Sequence, residues 1–513
     1  MPRTKSWTIL FYIVAKNADS SGDGLVMNQK ASEVAEHLKA AAQAFPDMYI
    51  AFQVVFDPEE DGRQWIAELL NPDDNEPATH TGSFGADDSL AKDLLGFYAW
   101  ALPRCPAEHV AVGFWGHSAG PAGLFEASKG IILPALPGRP DPPPRRTAPL
   151  PSLDLVEIRD TLRRARVGLR RSDRSNREMA EEILRAQPEE SIVDPVSGRP
   201  LKVDLVLFQD CWMSTLETAF QLKDAAHFTI GSQSLVPFGR PSIFNNCEIP
   251  PLDAGAGVWP YERLFDHLAA YRSNEPRESL APLVETLYDF YNQSLQIWPN
   301  PSLPFSLLDL DTIGPARDQP DAFDPADLDL IVDALQRLFG ADKAARGAFL
   351  AKASLAVAGD IVCLNRRAFA NPPTELAAGT IALIDVMILC RQLKAGGQLL
   401  QHELEAVARV CESRLVVLCR ESIYHAAGAV PPNDDDYSFE VIRPDDPVDP
   451  ERRSTLTQPL GFSGVGALYV PTETRQAKWN ERDPYILFAL ERPFYLNLKL
   501  STETTWATLA LEN

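Results

Sequence analysis

The sequence predicts an α/β protein with a mostly parallel central sheet flanked by helices, followed by a smaller C-terminal α+β region. Three observations point there. Apolar runs at Trp7–Ala15, Tyr49–Phe56, His109–Trp115 and Val203–Phe208 are continuous rather than alternating, the pattern of strands buried on both faces. Stretches of helical spacing separate them, the order that yields right-handed βαβ units. Several of the runs stop abruptly on polar or Gly-containing segments, as strands do at the carboxyl edge where ligands bind.

In chain order, Trp7–Ala15 is the first buried strand, and Lys16–Gly24 is a polar loop after it. A helix is expected from about Leu25 to Ala44, then the strand Tyr49–Phe56 and an edge strand or hairpin at Gln64–Leu70. Ser89–Ala101 has helical spacing, with Leu90, Leu94, Leu95, Tyr98 and Ala99 on one side. The strand His109–Trp115 runs straight into Gly116-His117-Ser118-Ala119-Gly120. Residues 127–200 change character. Pro134–Pro151 is proline-rich and extended, Leu153–Arg166 reads as a helix, and arginines crowd the region that follows. Val203–Met213 then reads as a buried strand ending on Gln209-Asp210-Cys211, with helical spacing from Ser214 to Leu222. Further strands are expected at His227–Gln233 and Phe305–Leu310, around helices near Tyr261–Tyr271 and Leu280–Ile297. This makes residues 1–315 one doubly wound catalytic domain, with 127–200 as an insert, and 316–513 an accessory region packed on it. In that region helices are expected near Ala326–Phe339, Ala344–Ala356, Thr380–Leu393 and Leu399–Ser413. Strands are expected at Arg414–Arg420, Ser438–Ile442, Val465–Val470 and Ile486–Ala489.

Composition excludes several classes. The 513 residues, enough for two to four domains, carry a net charge of −23, which opposes nucleic-acid binding. No segment reaches the roughly 18 apolar residues that span a bilayer, so no membrane partner is expected. The apolar run after Met1–Ser6 continues into a polar loop without a cleavage-site pattern, so it reads as a strand and not a signal peptide. Seven scattered cysteines without a CxxC pair suit reduced thiols in the cytoplasm, the expected location.

Cys211 stands where a buried strand gives way to a helix, a place that favours a thiolate nucleophile; the alternative is a small buried hydrophobe. A partner decides between them. His117, of the eight histidines, alone follows a buried strand in a Gly-flanked turn. In a parallel sheet both strands open on one edge, so His117 and Cys211 can meet as base and nucleophile.

Here the sequence resembles the clostripain-like cysteine peptidases, prokaryotic relatives of caspases. Ala107–His117 is similar to their Pro-Ala-x-His/Arg-Tyr…Leu-Trp-Asp-His-Gly stretch, and Asp204–Met213 to Asp-Leu-Leu-x-Phe-Asp-Ala-Cys-Leu-Met. Ile230–Gln233 resembles Val-Gly-Ser-Glu, Leu308–Leu310 resembles Ile-Asp-Leu, and Gly464–Pro471 resembles Gly-x-x-x-Tyr-x-Pro. The resemblance implies a caspase-like fold and a cysteine endopeptidase acting on protein or peptide substrates. His117 would be the acid/base and Cys211 the nucleophile, with backbone N–H groups of Ser118 and Cys211 holding the oxyanion. It implies cleavage after a basic residue, with Gln209, Asp210 and Gln233 at the substrate pocket. Three departures accompany it: Ser118 replaces a glycine, and Gln209 and Gln233 replace acids. Some relatives need calcium, so calcium enters by resemblance only and no other cofactor is expected; the acidic Asp434–Asp436 cluster is the site to consider. The insert is a candidate activation linker, cut after Arg139, Arg146, Arg166, Arg171 or Arg174 by the enzyme itself or by an upstream protease.

Two other functions stay open. A caspase-like pseudoenzyme would keep the fold for binding. A serine esterase would use Ser118, since Gly116–Gly120 matches G-x-S-x-G, although Pro121–Leu124 reads as a loop where an elbow needs a helix. Asp19–Gly24 imitates an EF-hand start but places Lys30 at the twelfth position, where a bidentate Glu belongs.

Overall fold

The continuous apolar runs become the middle of one nine-stranded sheet. A computed structural model of the chain describes residues 5–15, 24–56, 64–72, 78–83, 89–116, 118, 120, 124, 153–169, 174–189, 192–193, 198, 200–233, 236, 258–294, 302–315, 319–342, 345–347, 349–350, 382–423, 463–469 and 492–510. The strands are β1 (Lys5–Ala15), β2 (Met48–Phe56), β3 (Gln64–Leu70), β4 (Ala78–Ser83), β5 (Ala107–Trp115), β6 (Val203–Gln209), β7 (Ala226–Ser232), β8 (Ser302–Asp309) and β10 (Val416–Ile423). Two more, β9 (Ala382–Asp385) and β11 (Gly466–Tyr469), form a separate antiparallel pair.

The sheet order is β10-β8-β7-β6-β5-β1-β2-β3-β4. Its five central strands, β7 to β2, run parallel, while the outer pairings β7–β8, β8–β10, β2–β3 and β3–β4 are antiparallel. The composition follows the position. β1 and β2 are buried almost end to end, whereas β4 at the rim exposes four of its six residues. β10, which lies beyond residue 315, is a strand of this same sheet.

Helices cover both faces. α1 (Gly24–Ala44) and α6 (Tyr261–Ala269) pack together, as do α2 (Leu90–Ala101), α3 (Leu155–Ala165) and α4 (Asn176–Arg185). The insert expected at 127–200 therefore contributes core. Leu155, Ile158, Leu162, Met179 and Ile183 are buried, and both helices begin in capping boxes, from Asp154 and from Ser175. The remaining helices are α5 (Leu216–Leu222), α7 (Pro276–Ser294), α8 (Pro325–Phe339), α9 (Val386–Gly396), α10 (Gln401–Glu412), α11 (Arg492–Asn497), α12 (Lys499–Glu503) and α13 (Trp506–Ala510).

The helix expected over Thr380–Leu393 divides in two. Ala382–Asp385 pairs with β11, and α9 starts only where the Asp385 carboxylate accepts the Ile388 N–H at 2.9 Å. The strands expected at Ser438–Ile442 and Ile486–Ala489, and the loop Asp19–Gly24, lie outside the described residues.

Every residue of α5 is buried, so its polar side chains need partners. Glu217 accepts from the Leu468 N–H at 2.8 Å and the Tyr495 hydroxyl at 2.7 Å, and Gln221 accepts from the Lys499 N–H at 3.0 Å. The C-terminal segments thus close over the helix that follows the Cys211 turn. No described helix is long and apolar enough to cross a membrane.

If α3 is core rather than a removable linker, Leu162→Ala, at a side chain 1% exposed, lowers stability by about 2–5 kcal/mol in denaturant titration. A loss near zero would show that the helix contributes little to the fold.

Candidate active site

β5 and β6 are hydrogen-bonded neighbours in parallel, and their last paired residues are Trp115 and Gln209. Position 117 is two residues beyond the first and Cys211 two residues beyond the second. The Phe114 and Phe208 rings stack just below at 5.5 Å, locking the two strand ends together. His117 lies outside the described residues. The next two described residues, Ser118 and Gly120, lie against the turn after Cys211. Ser118 Oγ is 3.2 Å from Met213 Sδ. A Cβ on Gly120, whose φ is +63°, would stand 3.0 Å from the Trp212 carbonyl oxygen, so glycine permits this approach.

Cys211 sits in a strained turn. Trp212 adopts φ +53° without being glycine, a conformation that costs about 1–2 kcal/mol and concentrates at functional sites. Ser214 holds the turn, its N–H donating to Ser232 O at 2.9 Å and its hydroxyl to Gly464 O at 2.6 Å. The expected strand-to-helix junction is longer than the sequence spacing suggests. α5 begins at Leu216 behind a Thr215 cap, so four residues separate Cys211 from the helix and its N-terminal dipole does not act on the thiol directly. The backbone near Val236 does. Its N–H donates to Cys211 Sγ at 3.3 Å, and the Cys211 thiol donates to its carbonyl oxygen at 3.9 Å. With this cover Cys211 is only 5% exposed.

Gln209, Asp210 and Gln233, expected at a substrate pocket, each have no exposed surface. Gln209 accepts from the Tyr261 hydroxyl at 2.7 Å. Gln233 donates to Asp385 at 3.2 Å and accepts from the Gly464 N–H at 2.9 Å. Asp385 was not legible as a site residue. It also accepts from the Ser463 N–H at 2.8 Å and from the Ser463 hydroxyl, so this buried carboxylate ties β9 and residue 463 to the end of β7. No sequence signal marks it, because helical spacing places Asp385 inside the helix expected over Thr380–Leu393. Asp210 differs, because neither of its carboxyl oxygens has a hydrogen-bond partner. Burial pushes its pKa well above the ordinary value.

Three other described histidines, His109, His227 and His267, are engaged in side-chain pairs away from position 117. His109 is 3.1 Å from Asp204, His227 is 2.7 Å from Asp311, and His267 is 2.9 Å from the Thr286 hydroxyl. Ser118, the rival nucleophile, is 2% exposed, and its hydroxyl accepts from the Gly120 N–H at 2.9 Å. Downstream, Leu124 bridges to Ser118 and exchanges both hydrogen bonds with Leu153, an extended pairing where an esterase elbow would require helix. Of the candidate processing arginines, Arg166 is 3% exposed in a 3₁₀ turn that continues α3, beyond the reach of a protease without local unfolding. Arg174 is exposed and pairs with Glu182. Arg139, Arg146 and Arg171 lie outside the described residues, as do Asp434–Asp436. Among the described residues no group of three or more His, Cys, Asp or Glu side chains is arranged to hold a metal ion.

Among solved structures, the chain is similar to a secreted C11 cysteine protease from Bacteroides thetaiotaomicron in complex with an irreversible peptide inhibitor. Identity is 14% and the TM-score 0.47, with 98% of this chain and 99% of that one covered. It is also similar to an inactive zymogen C11 protease from Parabacteroides distasonis, at 14% identity and a TM-score of 0.45, covering 98% of this chain and 99% of the other. Both are proteases of the clostripain-like type. No protein-family model matches the chain, and no curated protein matches it.

The state of Asp210 has a measurable sign. A carboxyl whose folded pKa is raised keeps its proton in the folded state at pH values where the unfolded chain has released it. Its contribution to stability is therefore present below the ordinary Asp value of 3.8 and falls as pH rises toward the raised folded pKa. Asp210→Asn removes that dependence, so between pH 4 and pH 7 the variant loses less stability than the parent in urea titrations. Parallel pH profiles for the two would show that Asp210 is ionised and satisfied in the fold.

Proposed function

We propose that the chain is a cysteine endopeptidase in which Cys211 is the nucleophile and His117 its acid/base partner. The observation that carries this reading is the pairing of Trp115 with Gln209, which puts the exits of β5 and β6 side by side at the carboxyl edge. The contacts of Ser118 and Gly120 with Met213 and Trp212 support it, because the segment after His117 lies against the Cys211 turn.

In the proposed reaction the Cys211 thiolate attacks the scissile carbonyl, and the N–H groups of Ser118 and Cys211 stabilise the oxyanion. His117 protonates the departing amine. It then takes a proton from the water that hydrolyses the thioester. A side chain at 118 keeps the backbone donor. Substrates are proteins or peptides cut after a basic residue, and the acidity of the whole chain, net −23, favours approach of basic segments.

Activation belongs to the proposal because the Val236 backbone lies against Cys211 Sγ and Cys211 is only 5% exposed. Cleavage in the 127–200 insert is the step we assign to release that cover. Arg174 is the candidate site, being exposed between α3 and α4. The cutter is either the enzyme itself or an upstream protease. A binding protein without activity is the second reading, favoured by the same covered thiol and by the internal hydrogen bonds of Gln209 and Gln233.

An irreversible peptidyl electrophile separates the two. Applied to the insert-nicked protein it modifies Cys211, as found by peptide mass spectrometry. His117→Ala abolishes the modification and Ser118→Ala retains it. Hydrolysis of a matching peptide falls by at least about 10³-fold in Cys211→Ala. An unmodified Cys211 in the nicked protein would sink the peptidase reading.

A further inference from the structure

We infer a second binding site, remote from Cys211, that takes a small organic cation, an ammonium or guanidinium group. It is a cavity of about 260 Å³ between β2, β3, β4 and α2, lined by Gln53, Trp65, His80, Asp93, Phe97 and Trp100 among others. Cys211 follows β6, four strands away from β3 in the sheet order, or roughly 19 Å at the usual strand spacing. None of the residues assigned to the proposed reaction lines it.

The chemistry of the lining selects the ligand class. Asp93 is anchored as an acceptor, taking the Tyr12 hydroxyl at 2.7 Å and the Gln53 amide on one oxygen. Burial and the neighbouring Asp93 both hold Tyr12 protonated, so Tyr12 can act only as donor to it. Aromatic side chains line the same cavity as this carboxylate. Trp65 meets His80 edge-on at 4.9 Å, His80 stacks toward Trp100 at 6.1 Å, and Phe97 toward Trp100 at 6.3 Å. Trp65 lies across Gly82, where a Cβ would collide with its ring. Ring faces carry negative quadrupole density, and a carboxylate beside them repels anions. An uncharged apolar ligand would strip water from Asp93 without replacing it. Trp100 already accepts one cation, with the Arg104 guanidinium 5.8 Å from its ring centroid. Lys92, exposed at the rim, opposes a cation, as does His80 when protonated. The volume lies just below the usual range of small-molecule pockets, which suits a single charged group or side chain rather than a large cofactor.

Such a group can come from a basic side chain of a bound protein or from a free amine, and one titration series resolves both. Tetramethylammonium and methylguanidinium chloride are added to the full-length chain against a sodium chloride control, with tryptophan fluorescence and calorimetry as readouts. Saturable binding is expected with a Kd on the order of 1 mM. Asp93→Asn keeps an oxygen for Tyr12 and Gln53, so it preserves the fold while weakening binding about tenfold. Trp65→Leu weakens it similarly, and Lys92→Ala leaves it equal or tighter; melting curves confirm that each variant is folded. A Gly/Ser peptide with one arginine that competes more tightly than methylguanidinium assigns the site to protein side chains. Competition by free cations alone assigns it to small amines. A response no different from sodium chloride, or equal affinity in Asp93→Asn, overturns the proposal.

Discussion

The parallel hydrogen-bonded ladder between β5 and β6 is the constraint on which the rest depends. Its register, Ala111 with Leu205 through Trp115 with Gln209, makes two segments distant in sequence leave the sheet at one edge and one level. A slip of a single residue would exchange the two faces of a strand and place every side chain in packing space shaped for its neighbour. Because β5 and β6 are buried on both faces through their paired residues, the slip is disfavoured at every position. The relation between the two strand ends is therefore secured by the core and not by contacts within the site.

The turn that carries Cys211 depends on different forces. Trp212 is held at positive φ by packing against Gly120 on one side and by the Ser214 bonds to Ser232 and Gly464 on the other. Gln233, Asp385 and Ser463 extend that support into residues far along the chain. Glu217 and Gln221 do the same from α5. Buried polar networks of this kind are stabilising only when satisfied, so the turn and the C-terminal segments stand or fall together. Within this network one Glu217 carboxyl oxygen and the Gln221 amide nitrogen lack partners, and beside it Asp210 lacks one at both oxygens. As a buried carboxyl without a partner, it is a local cost that the surrounding structure sustains.

Much of this was legible in the sequence because it rests on local pattern. Continuous apolar runs marked β1, β2, β5, β6 and β7, and the abrupt polar stop after Phe208 marked the candidate nucleophile. The antiparallel edges were not legible, since strand direction in β8 and β10 is set by tertiary pairing. Nor were Asp385, the Val236 backbone over the thiol, or the burial of α3 and α4. Each depends on contacts across tens to hundreds of residues, and the arginine-rich surface of the insert masked the few apolar residues that dock it. Cys211 was misplaced by a turn for a related reason. Helical spacing begins at Ser214 in the sequence, while the Ser214 bonds to Ser232 and Gly464 delay the helix to Leu216.

Nearness of positions 117 and 211 is the claim on which the reading turns, and a disulfide trap measures it directly. Two cysteines bridge when their Cα atoms lie about 4.4–6.8 Å apart, close to the spacing of neighbouring strands. Mild oxidation of His117→Cys should give a 117–211 crosslink in high yield by peptide mapping, ahead of any link to the other cysteines. If position 117 instead stays reduced, or pairs elsewhere while Cys211 remains alkylatable, the two strand ends do not form one site.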